Sequence, residues 1–178
     1  TNIMKVIFLD FDGVMSLMGQ WGGRFKKILK YQYKFPGVLE DDMPAWVRFD
    51  NFDPKAIKIL NSILLNHDVE IVISSDWKLY ASLNELQDMF DKYDVVKLPI
   101  DTTPNLISYQ SKSHMKKDEL IKWRIKEIKL WLSKHPDVTH WVAVDDMDLG
   151  EKFGAISGNS NGGLSNFVHT PKSTEGIK

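Results

Sequence analysis

The feature that most constrains this sequence is an apolar run, residues 6–9, that leads into two aspartates, Asp10 and Asp12, and a glycine, Gly13. Apolar residues fill both faces of the run, as in a strand at the centre of a parallel sheet. Alternate residues of a strand point to the same side, so we expect Asp10 and Asp12 to converge where the backbone begins to turn. Carboxylates that meet there need a cation or a proton between them, and Mg²⁺ is the usual cation for carboxylate and phosphate oxygens. An acidic turn after a strand is the ordinary alternative.

The composition of the chain excludes several classes of protein. Its 178 residues suit a single domain over 1–178 with a real core. The absence of cysteine excludes disulfides, thiolate zinc sites and cysteine nucleophiles. A formal net charge of -1 argues against a domain that holds long nucleic acid by bulk electrostatics, although a local basic patch is compatible with it. The sequence has no signal peptide and no apolar span of membrane length, so we expect a cytoplasmic location and no membrane partner.

Strands and helices are predicted to alternate along the chain. Apolar runs predict strands at 5–9, 69–73, 95–98, 138–144 and 166–169. Helical periodicity and capping residues predict helices at 54–66, at 79–91 and, capped by Asp118, up to residue 133. The stretch 99–117 is predicted to be a loop, and 158–163 a glycine-rich turn. This alternation is typical of an α/β fold, a parallel sheet with helices on both faces.

Residues 15–50 interrupt the alternation. They are too irregular for a crossover helix, so we interpret them as an insertion that forms a flap or minimal cap. The segment interleaves cations with aromatic rings: Trp21, Arg24, Phe25, Lys26, Lys27, Lys30, Tyr31, Tyr33, Lys34 and Phe35. One interpretation is a surface for phosphates and stacked bases. The other is a flap whose rings cover the core while its lysines stay solvated, and we favour it because such a mixture in one sequence is weak evidence for nucleic-acid binding.

Polar residues follow three of the predicted strands. The first strand leads into Asp10 and Asp12, the second into the serines at 74–75, and the fourth into the aspartates at 145–146. In an open parallel sheet the ligand lies beyond the carboxyl ends of the strands, so these side chains are expected to share one site. Together they offer a nucleophile, carboxylates for a metal ion, and hydroxyl or amide donors to phosphate oxygens.

This order of strand ends resembles that of the haloacid dehalogenase-like (HAD) phosphohydrolases. That superfamily carries an Asp-x-Asp after strand one, a Ser or Thr after strand two, a Lys or Arg at a later helix and an acidic pair after a further strand. A closer resemblance is to small HAD domains associated with nucleic-acid repair proteins. Their motifs stand here as Asp12-Gly13-Val14, Ser74-Ser75-Asp76-Trp77-Lys78, Arg124 through Leu132, and Gly163-Leu164-Ser165. The resemblance spans about residues 5–150 and implies a HAD-like Rossmannoid fold.

The resemblance also implies roles for the four aspartates. Asp10 would attack phosphorus and become an aspartyl-phosphate, which splits hydrolysis into two easier steps. Asp12 would protonate the leaving oxygen and then activate water. Mg²⁺ would be held by the Asp10 carboxylate, the Asp12 backbone carbonyl and Asp145, with Asp146 as a further ligand or as a residue that orients the ligands.

The phosphate would be bound by hydroxyl, amide and cationic groups. Ser74 would donate to a phosphate oxygen, with help from the Ser75 amide. The cation of the third motif has several candidates in one helical region, and the resemblance to Arg-x-x-Glu-Ile favours Arg124, with Lys122 second. Trp77, which follows the serines, either lines the substrate pocket or packs in the core. The other cations of this region are interpreted as a solvated helix face: Lys116, Lys117 and Lys126.

The function that this resemblance implies is a Mg²⁺-dependent phosphatase for phosphomonoesters. A nucleotide or a nucleic-acid end is the favoured substrate: a minimal cap would admit a polymer, whereas the near-neutral charge favours small nucleotides or short ends. A phosphoacceptor receiver domain is disfavoured, because receivers carry the acidic pair at the first strand and the phosphorylated aspartate in mid-chain. A phosphotransferase, or a HAD fold that only binds a ligand, is also compatible with these motifs.

Overall fold

A five-stranded parallel sheet organises the fold. The computed structural model describes residues 3–150 and 163–178, and within these ranges the strands are β1 (Met4–Leu9), β2 (Glu70–Ile73), β3 (Asp101–Thr102), β4 (Val138–Asp145) and β5 (Phe167–His169). Their order across the sheet is β3-β2-β1-β4-β5. The strand order therefore reverses at β1, which has β2 on one side and β4 on the other. A crevice for a ligand opens at a reversal of this kind.

The central strands end level with one another. Leu9 of β1 pairs with Ile73 of β2 and with Val144 of β4. Beyond these pairs, the Ser74 amide donates to the Leu9 carbonyl at 2.9 Å, and the Asp10 amide donates to the Val144 carbonyl at 3.1 Å. The residues that follow the three strands therefore stand side by side at one edge of the sheet.

Helices cover both faces of the sheet. Their bounds are α1 (Arg24–Lys34), α2 (Ala45–Arg48), α3 (Pro54–Asn66), α4 (Leu83–Lys92), α5 (Tyr109–Lys112) and α6 (Lys117–Ser133), with 3₁₀ turns at Met18–Gln20, Glu40–Asp42 and Asp76–Leu79. Along β1, Ile7 and Leu9 pack with α3 and α4, whereas Val6 and Phe8 pack with α6. The predicted α/β fold, with a central strand buried on both faces, is confirmed. None of the helices in the described part of the chain has the length and apolarity to cross a membrane.

Two helix predictions are confirmed closely. Helix α3 begins at Pro54 because the Asp53 carboxylate accepts hydrogen bonds from the amides of Lys55 and Ala56, at 3.0 and 3.1 Å. Helix α6 runs over Lys117–Ser133, but the prediction that Asp118 caps it is wrong, because the capping position is Lys116 and Asp118 lies in the first turn. Both helices turn their apolar faces to the sheet, as the spacing of their aliphatic residues predicted.

The predicted strand at 95–98 is wrong. The strand in this region is β3, the short Asp101–Thr102 that pairs with β2. Val95 is buried, but the amide of Val96 donates to the Asn61 side chain at 2.9 Å and so does not join a sheet. The predicted loop at 99–117 accordingly contains β3 and the short helix α5.

The predicted start of the helix at residue 79 is also wrong. Leu79 ends a 3₁₀ turn, and α4 begins only at Leu83. Ser82 and Glu85 form a capping box there: the Ser82 hydroxyl accepts from the Glu85 amide and the Glu85 carboxylate accepts from the Ser82 amide, each at 3.2 Å. Of the predicted glycine-rich turn, residues 158–162 lie outside the described residues.

The segment 15–50 folds into α1, α2 and two of the 3₁₀ turns. Ile28 of α1 packs against Met43 and Val47. The rings of Phe25 and Tyr33, however, are 60% and 91% exposed. The prediction that the rings of this segment cover the core is therefore wrong for these two side chains, and α1 turns a partly aromatic face to solvent.

Candidate active site

The three strand ends bring their polar residues together as predicted from the topology. Asp10 and Ser74 directly follow β1 and β2, while Asp145 is the last residue of β4, and all three are buried. Gly13, with φ +76°, allows the loop after β1 to approach Asp146: a Cβ at position 13 would lie 2.5 Å from the Asp146 Oδ2 atom. Only glycine fits this turn without strain.

A carboxylate cluster lies at the centre of this edge. Asp10, Asp145 and Asp146 each offer an oxygen, and these oxygens lie within 4.8 Å of one another. Burial, followed by the charge of Asp145, raises the pKa of Asp10 well above its usual value, and the same two causes raise the pKa of Asp146 to about 6. Buried carboxylates this close repel one another, and an all-oxygen donor set of this kind fits Mg²⁺.

We expect the affinity of this cluster for Mg²⁺ to rise with pH through about 6, the raised pKa of Asp146. Protons compete with the ion, because carboxylates bind it in their ionised form. The raised pKa values of these carboxyls also make the stability of the metal-free folded protein depend on pH. Their contribution is fully present below about pH 4 and is lost as pH rises through about 6. Calorimetric Mg²⁺ titrations at about pH 5 and about pH 7.5 test this, and equal affinities would contradict it.

Arg124 is the cation of this cluster. Its Nη1 atom lies 3.1 and 2.9 Å from the two carboxylate oxygens of Asp145, and 3.4 Å from Asp10 Oδ2. Its Nη2 atom lies 3.3 Å from Asp76 Oδ1. Burial lowers the pKa of the guanidinium, but the three carboxylates outweigh burial and raise it, so Arg124 stays charged. Lys122, the other candidate, lies exposed on the same helix.

Asp12 occupies a different environment from Asp10. Burial raises its pKa, and a hydrogen bond from Trp77 Nε1 to Asp12 Oδ2, 3.0 Å long, acts in the opposite direction. The Trp77 ring is only 7% exposed and stacks on Phe49 with 4.6 Å between ring centroids. Trp77 therefore both packs and orients Asp12. A carboxyl with a raised pKa can carry a proton at a pH closer to neutral, as a general acid requires.

The two serines differ in their partners. Ser75 Oγ accepts from the Trp77 amide at 3.3 Å and so caps the 3₁₀ turn. Ser74 Oγ is buried and, among the described residues, has no hydrogen-bond partner. A buried hydroxyl without a partner is costly, so its presence is a sign of a ligand that completes it.

Three charged residues of the motifs quoted above form ion pairs at this site, although no role was predicted for them from the sequence. Asp76 accepts from Lys112 Nζ at 2.7 Å and faces Arg124, and its pKa is lowered because these cations outweigh the effect of burial. Lys78 and Glu127 form a buried ion pair of 2.9 Å behind Arg124. A signal for Glu127 was present, since it follows Arg124 by three residues and therefore shares its side of the helix.

A cleft of about 640 Å³ opens beside the cluster. Asp12, Asp76 and Trp77 line this cleft. It is also lined by Trp21, which precedes α1, and by Arg24, the first residue of α1. The cleft is large enough for a nucleotide-sized ligand next to Asp12.

The chain matches the model of a known protein family. No curated protein and no solved structure matches the chain significantly. A family model described as the HAD domain in Swiss Army Knife RNA repair proteins matches residues 6–174. This match covers nearly the whole chain and includes every residue of the site described above. The chain therefore belongs to the family of HAD domains found in Swiss Army Knife RNA repair proteins.

Proposed function

We propose that the chain is a Mg²⁺-dependent phosphatase that hydrolyses phosphomonoesters through an aspartyl-phosphate on Asp10. The observation that carries this proposal is the position of Asp10. It is buried 3.4 Å from the Arg124 guanidinium, and it stands at the same sheet edge as the buried Ser74 hydroxyl, which finds no hydrogen-bond partner within 3–150 and 163–178. A nucleophile, a cation and a free donor at one edge suit a tetrahedral anion such as phosphate. Membership of a HAD family tied to RNA repair supports both the reaction class and a nucleic-acid-related substrate.

In the first step an oxygen of Asp10, in the ionised form that the Arg124 charge favours, forms a bond to phosphorus as the bond to the leaving oxygen breaks. Asp12 gives its proton to that leaving oxygen. In the second step Asp12 takes a proton from water, the water oxygen bonds to phosphorus, and phosphate leaves as Asp10 is regenerated. The proton balance requires Asp12 to be protonated in the first step and ionised in the second, and its raised pKa favours the protonated form that the first step needs.

The residues that would hold Mg²⁺ are Asp10, Asp145 and Asp146, with the Asp12 carbonyl as a further ligand. When bound, the ion supplies positive charge that offsets the negative charge on the transferring phosphoryl oxygens. Arg124 adds a further positive charge at these carboxylates and keeps the Asp145 side chain in place. These residues fit the ion because their donors are all oxygens and mutually repulsive.

Replacing Ser74 by alanine is expected to lower kcat/KM by about 10²-fold without loss of stability. The hydroxyl makes no hydrogen bond among the described residues, so its removal breaks none and relieves an unfavourable burial. Ser75→Ala is the matched control: it removes the hydroxyl that caps the turn at Trp77, and so lowers the melting temperature while the Ser75 amide is kept. Equal activity of Ser74→Ala and the native chain would contradict the proposed phosphate contact.

The proposed substrate is a nucleotide or the phosphorylated end of a nucleic acid. Support comes from the family and from the cleft, whose Trp21 side chain is 41% exposed and is held by a 3.0 Å hydrogen bond from its Nε1 atom to the Ser16 carbonyl. A fixed, exposed indole is a platform on which a base can stack. A ring in this position would also distinguish nucleotides from simple sugar phosphates.

Phosphate release from a substrate panel tests the proposal. The panel contains mononucleotides, 3′- and 5′-phosphorylated oligonucleotides and sugar phosphates, each with Mg²⁺ and with EDTA. We expect Mg²⁺-dependent release, fastest from the nucleotides or the oligonucleotides. Folded protein that releases phosphate from none of them would overturn the proposed hydrolysis and favour a phosphotransferase or a ligand-binding role.

A further inference from the structure

Helix α1 presents two parallel stripes to solvent that the chemistry at the strand ends does not use. Phe25, Leu29 and Tyr33 recur every four residues and are 60%, 67% and 91% exposed. Beside them, again every four residues, lie three exposed lysines: Lys26, Lys30 and Lys34. Residues four apart on a helix are neighbours on its surface, so each stripe is continuous. We call these six side chains the α1 surface.

The opposite side of α1 is fully engaged with the domain. The Asp50 carboxylate accepts from the Arg24 amide at 3.1 Å and from its Nη1 atom at 3.0 Å. Lys27 Nζ donates to the carbonyls of Trp46 and Phe49, and Ile28 is buried. The helix is therefore held in one orientation, and the α1 surface faces outward in it.

The charge of α1 is unlike that of the chain as a whole. The helix contains five of the 23 basic residues and no acidic residue, although the whole chain carries a net charge of -1. In the described ranges no carboxylate pairs with the three lysines of the α1 surface. Like charges four apart destabilise a helix, and a helix selected for stability alone would alternate them with glutamates. A polyanion would relieve this repulsion.

We propose that the α1 surface binds single-stranded nucleic acid, the strand that continues from the terminal phosphate at Asp10. Three lysines suit successive phosphates, and the aromatic rings suit stacked bases. The helix, about 16 Å long, starts at the cleft, where Arg24 lines the wall. A strand can thus run from the cleft along α1. The inference rests on the proposed function for the direction of the strand, but the binding itself does not require catalysis.

Fluorescence anisotropy with a labelled single-stranded RNA of about twelve nucleotides, without terminal phosphate, tests this binding. The double variant Lys26→Gln, Lys30→Gln is expected to weaken binding about tenfold. It should also reduce the slope of log affinity against log salt concentration by about 1.4. The control is Lys55→Gln with Lys58→Gln, two exposed lysines of α3, which should leave affinity unchanged. Tyr33→Ala should weaken binding about tenfold, whereas Tyr33→Phe keeps the ring and the affinity.

The same variants separate this inference from the proposed phosphatase activity. The lysine pair should raise KM for a phosphorylated oligonucleotide and leave hydrolysis of a mononucleotide unchanged. If the α1 double variant and the α3 control double variant bind RNA equally tightly, the α1 inference is overturned, even if phosphatase activity is found. If the native protein binds RNA but hydrolyses none of the substrates, and the α1 double variant loses RNA binding, the α1 inference is supported and the proposed phosphatase activity is overturned. The α1 surface could also mediate self-association or binding to anionic vesicles. If either depends on Phe25 and Tyr33 while the α1 variants keep native RNA affinity, the surface belongs to another partner and the inference is overturned.

Discussion

Replacing Asp10 by asparagine is expected to reduce phosphate release by about 10⁴-fold or more. The amide cannot form the bond to phosphorus, and Asp10 is a buried carboxylate of the cluster, 3.4 Å from the Arg124 guanidinium. The same substitution should leave the melting temperature of the metal-free protein equal or higher. Burial and the nearby Asp145 disfavour the charge of Asp10, and asparagine removes that charge. A loss of activity with a gain in stability is the signature of a strained reacting group.

The matched control for this substitution is Asp88→Asn, at an exposed position on α4. It removes the same charge far from the cluster and should change neither activity nor stability. Asp10→Asn that retains half or more of native turnover would show that another group attacks phosphorus. Asp10→Asn that unfolds the protein would show that the carboxylate is structural.

Replacing Arg124 by glutamine is expected to be the most destabilising change in the site, by about 3–5 kcal/mol in the absence of Mg²⁺. It removes a buried cation and leaves Asp10, Asp145 and Asp76 without it. Activity should fall as well, because the carboxylates lose their orientation and the phosphate loses a positive charge. Mg²⁺ should restore part of the lost stability, since it replaces some of the missing positive charge. The increase in stability on adding Mg²⁺ should therefore be larger in this variant than in the native chain.

Lys122→Gln is the control on the same helix. Its side chain is exposed, so we expect native stability and native turnover. Thermal unfolding with and without Mg²⁺, together with phosphate release, compares the two variants. If Lys122→Gln lost activity and Arg124→Gln kept it, the assignment of the phosphate-side cation to Arg124 would be wrong.

The parts of the fold that the sequence predicted are those set by local pattern. The run before Asp10 is apolar on both faces, and Asp53-Pro54 carries its own start signal, so β1 and α3 fall where expected. The residues of the site follow from topology, because parallel strands bring their carboxyl ends to one edge. Neither inference needs knowledge of distant contacts.

The sequence-based predictions are wrong where the structure is determined by contacts between residues far apart in the chain or by competing local contacts. β3 has two residues and no hydropathy pattern, and it is a strand because β2 offers an edge to pair with. Leu79 fits the period of α4, yet the capping box at Ser82 starts the helix later. The buried pair Lys78–Glu127 joins residues 49 positions apart in the chain. Periodicity assigns such charged residues to the surface, and only their partners keep them inside.

The exposed face of α1 is a different kind of error. Its rings and lysines predicted either nucleic-acid binding or a flap whose rings cover the core, and the sequence does not define which side of the helix meets the domain. That choice is made by Asp50 and by the carbonyls of Trp46 and Phe49, which hold Arg24 and Lys27 inward. The aromatic stripe is exposed as a consequence of these polar contacts.

The most direct test of the central claim is to trap the phosphoryl group on the protein. Native protein and Asp10→Asn are mixed with a phosphorylated substrate and Mg²⁺, quenched in acid, digested and examined by mass spectrometry. We predict one phosphoryl group on Asp10, in an acyl-phosphate that hydroxylamine removes, and none in the variant. A native protein that releases phosphate without modification of Asp10, or that carries the phosphoryl group on Asp12 or Ser74, would contradict the assignment of Asp10 as the nucleophile.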